Sequence, residues 1–151
     1  MWPSSSSRDV ERRRAALRLA LAGTSLHSVG LGFLVYGVTR RFLKAAGFDP
    51  SEELFYPRQS GAFLVALGIG YGGAALNPDR HAGLVALTIA SKAIAVAFLL
   101  REARRRGGPR SVLAAGVADA LLGLLIAGLA LAYYPQRHSA APEEAGETAH
   151  R

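Results

Sequence analysis

Four titratable side chains, one in each long apolar run of this chain, lie near the middle of the run: His27, Tyr71, Lys92 and Asp119. An ionisable group in the membrane interior costs ~2.5–3.5 kcal/mol on insertion scales, so it is placed against a partner or water. Two of the four can be paired by counting. Lys92 lies nine residues before Arg101, and Asp119 lies nine residues after Arg110. If those arginines mark one membrane face, a ~1.5 Å rise per residue puts both side chains about 13–14 Å deep. Opposite charges at equal depth on adjacent antiparallel helices predict a Lys92–Asp119 ion pair. Gly116, Ala120 and Gly123 leave room for the lysine stem to cross. Thr88, one turn before Lys92, is placed to accept a hydrogen bond from the ammonium.

His27 and Tyr71 reach similar depth. His27 is nine residues after Arg18, counted from the opposite face, and Tyr71 is in the middle of its apolar run. Thr24, Ser25 and Ser28 add hydroxyls beside the histidine. The set admits three readings. The pair locks helix register, with His27 and Tyr71 satisfied inside a polar core. Alternatively, the four groups line a polar ligand pocket around the pair. The third reading makes His27, Lys92 and Asp119 a relay for protons or ions, which in a chain with so few spans requires an oligomer. An enzyme is the least supported of the function classes.

Other chemistries lack their residues. The chain has no Cys, which removes disulfides, thiolate metal sites and thiol nucleophiles. Bis-histidine haem ligation needs a second His at the depth of His27; His81 is about 13 Å away in depth and His138 falls outside the apolar runs. One His and one Asp serve zinc poorly. Ser25 and Ser28 are too close to His27 in sequence to form a catalytic triad with it. The glycines of Gly68-Ile69-Gly70-Tyr71-Gly72 lie within an apolar run and do not follow a soluble strand, so they form no nucleotide loop. No cofactor or metal is therefore expected.

The elements that carry these side chains are membrane spans. Crossing ~30 Å of hydrocarbon takes about 20 helical residues. Residues 15–39, 61–77, 81–100 and 111–134 meet that length with at most two charged or imidazole groups each. The runs around 64–75 and 121–132 are apolar all round, unlike helices of a soluble bundle. The remainder of the 151 residues is divided among two tails and three connections, none able to bury a core. The fold class is all-α, an antiparallel bundle of four transmembrane helices. Arg12, Arg13, Arg14 and Ala20-Leu21-Ala22 resemble a signal peptide, but Arg18 interrupts its apolar region, so the first run is expected to remain as a span.

Pro78-Asp79-Arg80 joins spans two and three as a hairpin, and residues 101–110 join spans three and four. In the longer first connection, Asp49-Pro50-Ser51-Glu52 reads as a capped helix start, with Phe48, Phe55 and Tyr56 suited to the headgroup region. A short interfacial helix is expected there. Residues 1–14 and 135–151 read as disordered tails by composition. Gly68 and Gly72, and the Gly116, Ala120, Gly123 strip, suit close helix contacts within the bundle, with homodimerisation as the alternative.

The net charge of +7 is held in short clusters between spans, which favours lipid over nucleic acid as partner. Arg104, Arg105 and Arg106 form such a cluster, placed to contact phosphates of anionic lipids. Eight Lys and Arg flank the spans on one face and nine on the other, too even for the positive-inside rule. The basic flank of the first span argues for cytoplasmic termini.

Leu17-Arg18-Leu19-Ala20-Leu21, opening the first of four short spans, resembles the small bacterial membrane proteins called DoxX-like. The likeness covers the layout of residues 15–134. It implies a four-helix bundle in a bacterial cell membrane. Some relatives are linked to quinone or thiol redox systems, and the absence of Cys excludes the thiol branch here. No functional residue carries over. The sequence thus predicts a multi-pass membrane protein, most simply a non-enzymatic bundle that binds a lipid, a small amphiphile or a partner protein around the buried pair.

Overall fold

The computed structural model describes residues 5–50, 52–105 and 109–139. Five helices follow in order: α1 (Ser5–Gly37), α2 (Thr39–Ala45), α3 (Phe55–Leu76), α4 (Ala82–Ala103) and α5 (Arg110–Ser139). All but α2 are long and apolar enough to cross a membrane. Many of their large side chains point outward: Leu19, Leu26, Phe33, Ile69, Ile94, Leu124 and Leu131 are all exposed. The interior combines a few large side chains, Leu17, Leu21 and Ile126 among them, with small and hydroxyl-bearing residues, including Ala74, Ala75, Thr24, Ser28 and Thr88. This distribution suits lipid, where burying large apolar groups gains little and close backbone approach gains much.

The helices pack as two tight pairs, α1 on α3 and α4 on α5, with α1 also touching α5. Consecutive α3 and α4 touch sparsely, although only a short turn joins them. Glycine sets the first pairing. A Cβ on Gly32 would fall 2.7 Å from the Gly61 carbonyl oxygen, and one on Gly68 would fall 2.6 Å from Val29. Ser25 donates a 2.7 Å hydrogen bond to the Gly68 carbonyl across the same seam. The Gly68–Gly72 strip is therefore used inside the bundle.

The bundle is closed near the chain termini and open toward the other end. The closed half contains the core of Leu17, Leu21, Ala74, Ala75, Val85, Ile126, Ala130 and Tyr133. A polar clamp seals it. Arg13 donates to the Ala132 carbonyl and Arg18 to the Ala75 carbonyl, each at 3.0 Å. Arg14 Nε lies 3.1 Å from Asp79 Oδ2, an ion pair without hydrogen-bond alignment. Tyr133 donates to Asp79 at 2.7 Å, and Tyr134 to the Pro78 carbonyl at 2.9 Å.

Three expectations from sequence are corrected. The N-terminal segment expected to be disordered is helical from Ser5. Its arginines gain carbonyl and carboxylate partners that composition does not reveal. At the other end, α5 continues through Pro135 to Ser139; residues beyond 139 lie outside those described. The expected short helix between the first two spans is present, but it is Thr39–Ala45 and does not start at Asp49-Pro50, where Ser51 lies outside the described residues.

Two local effects move that helix. Thr39 donates to the carbonyls of Val35, at 2.6 Å, and Tyr36, at 3.1 Å, a back-bonding that bends a helix beside Gly37. Gly47, at φ +84°, then ends α2: its N–H bonds the Lys44 carbonyl while Phe48 N–H bonds that of Leu43. Leu54 is the N-cap of α3 and makes no side-chain cap, Glu53 before it accepts from Phe55 N–H at 2.7 Å, and Pro57 is tolerated in the first turn. Ser111 donates to the Ala46 carbonyl, which ties α2 to the start of α5.

Candidate functional site

Lys92 lies ten residues into α4 and Asp119 nine residues into α5, each about 13–15 Å along its helix. The ammonium meets Asp119 Oδ1 at 2.5 Å. The side chains are 7% and 16% exposed, so both charges are nearly out of contact with the surroundings. Gly123 makes the approach possible, because a Cβ there would sit 3.1 Å from Lys92 Cβ. Gly116, two turns earlier on α5, gives the same clearance to Leu99.

The pair lies at the inner end of a cleft of about 570 Å³ between the α1–α3 and α4–α5 pairs. From Lys92 and Asp119 the cleft runs toward the α1–α3 and α4–α5 connections. It is walled by Leu31, Leu64, Leu67, Ala95, Leu99 and Ala115, with Phe63 and Phe98 at its exposed edge. Apart from the pair, its polar lining is His27, Ser28 and Ser60. An apolar cavity with a few polar groups gathered at one end has the general form of a small-molecule site.

The other sequence candidates separate into different environments. Tyr71 is buried but does not line the cleft; its hydroxyl lies 2.6 Å from Ser91 Oγ. Ser91 in turn donates to the Thr88 carbonyl at 2.9 Å, so the phenol must be the donor to Ser91. Thr88 does not serve Lys92. Its hydroxyl donates to the Leu84 carbonyl at 2.7 Å, the ordinary back-bond of a helical threonine. His27 is exposed on α1 and belongs to the rim of the cleft, which corrects the expectation of a core histidine. Of its neighbours, Thr24 bonds the Ala20 carbonyl and Ser25 that of Gly68, while buried Ser28 faces the cleft.

Sequence reasoning missed Ser91 and the clamp residues Arg13, Arg14, Asp79, Tyr133 and Tyr134. A Tyr-Tyr pair before a proline at a span end was a readable signal for the clamp. Nothing local marks Ser91 as the partner of Tyr71. At the end of α4, Arg105 pairs with Glu102 at 3.2 Å and Arg104 is exposed. Arg106 lies outside the described residues.

Four apolar spanning helices that enclose a charged pair place this chain among multi-pass helical membrane proteins. Comparison with protein-family models, curated proteins and solved structures gives no match to the chain.

Proposed function

We propose that the protein is a non-enzymatic membrane bundle that takes a lipid or small amphiphile into the cleft beside Lys92 and Asp119. The cleft itself carries this reading: about 570 Å³ of space with apolar walls leads to a charged pair whose exposed fraction faces it. A pair kept only to lock register has no need of such space. The DoxX-like resemblance favours a bacterial cell membrane, and the basic flank of the first span favours cytoplasmic termini. On this reading Arg104 and Arg105 lie at the headgroups, where each cation near an anionic surface contributes about 1 kcal/mol.

The absence of Cys makes the test direct. A bimane fluorophore is attached at Ala95→Cys, inside the cleft, and separately at Ile94→Cys, on the exposed side of the same helix. Both variants are reconstituted into phosphatidylcholine vesicles and titrated with amphiphiles brominated along a C18 chain. Binding predicts saturable quenching at Ala95→Cys and a linear dependence on membrane content at Ile94→Cys. If both positions respond linearly, whatever the head group, the cleft holds no preferred ligand.

A further inference from the structure

The chemistry at the inner end of the cleft restricts the head group it can hold. Lys92 carries three N–H donors, and among the described residues its one hydrogen bond goes to Asp119. Thr88, the hydroxyl in helical register with it, donates elsewhere. Asp119 accepts through Oδ1 and retains acceptor capacity on Oδ2. The pair is thus neutral as a unit, yet it offers both donors and an acceptor toward a space walled mainly by hydrocarbon.

We propose that the cleft selects an uncharged amphiphile, a long-chain molecule whose head both donates and accepts hydrogen bonds, and rejects charged heads of either sign. This rests on the cleft-binding reading above. An anionic head competes with Asp119 for Lys92 and leaves one negative charge without a counterion. A cationic head does the converse with Lys92. Either outcome strands a charge where solvation is poor, and breaking a buried pair is strongly unfavourable for that reason. A hydroxyl avoids both, because its oxygen accepts from Lys92 while its proton goes to Asp119. The cleft's volume of about 570 Å³ lies within the ~300–1,000 Å³ range of small-molecule sites.

The test compares three probes that share a C16 chain with a mid-chain diazirine: an alcohol, an alkyl sulfate and an alkyltrimethylammonium. Each is added at equal membrane content to wild-type protein in phosphatidylcholine vesicles, photolysed, and mapped by peptide mass spectrometry. The alcohol should label the cleft residues of α4 and α5 at least about tenfold more than either charged probe, a ratio set by ~1.4 kcal/mol of discrimination. Equal or stronger cleft labelling by a charged probe overturns the selectivity while leaving amphiphile binding intact. Labelling at the cleft no higher than at exposed Ile94, for all three probes, overturns both. Asp119→Asn makes the site cationic, and sulfate labelling should then exceed that of the alcohol; an unchanged preference for the alcohol refutes the charge argument. If this variant does not fold, the wild-type comparison decides alone.

Discussion

Separating Lys92 from its partner should be among the most damaging single changes in the protein. Lys92→Met and Asp119→Leu each leave one charge in a site where the native side chains are 7% and 16% exposed. Removing one member of a buried pair typically costs about 3–5 kcal/mol, most of it from the stranded charge. The residual exposure through the cleft places the expected loss toward the lower end, about 3 kcal/mol. The double variant Lys92→Met/Asp119→Leu removes both charges, and such replacements range from neutral to stabilising. At ~2–4 °C per kcal/mol for a chain of this size, each single change should lower Tm by about 6–12 °C. The double variant should return to within about 4 °C of wild type on the same scale. Far-ultraviolet circular dichroism in detergent, paired with gel filtration, reads the series. The charge reversal Lys92→Asp/Asp119→Lys tests contact more strictly, and should recover incompletely because the clearance at Gly123 fits the native lysine stem. Singles that melt within about 2 °C of wild type would refute the reasoning, since that is less than about 1 kcal/mol.

The remaining predictions concern the framework. Gly32→Ala should destabilise by about 1–3 kcal/mol, because its Cβ meets the Gly61 carbonyl at 2.7 Å and backbone cannot readily yield. Gly30→Ala, with nothing within 4 Å, should be neutral or stabilise by about 0.5–1 kcal/mol; thermal melts of the two variants side by side decide the matter. Tyr133→Phe removes one hydrogen bond from the clamp on Asp79 and should cost about 1 kcal/mol, visible as faster proteolysis at the α3–α4 turn. His27→Leu should leave Tm unchanged, since the imidazole is exposed; a large loss would place His27 in the core after all.

Hydropathy and counting determined a great deal here. Span lengths follow from composition alone, because the bilayer thickness fixes how many apolar residues a helix needs. The depth of Lys92 and Asp119 follows from a constant rise per residue, so their pairing was legible before any contact was known. Rotation about each helix axis was not. The polar residues Thr24, Ser25, His27 and Ser28 spread around a wide arc of α1, so sequence could not tell which of them turns inward. The tertiary structure turned Ser28 inward and His27 to the rim, because the close approach at Gly32, Gly61 and Gly68 fixes the rotation of α1 against α3. It also joined Tyr71 to Ser91 and directed Thr88 to its own helix. The cleft is the clearest tertiary decision. It lies between two tightly packed helix pairs whose shared core of buried side chains is at one end, a property of no single segment.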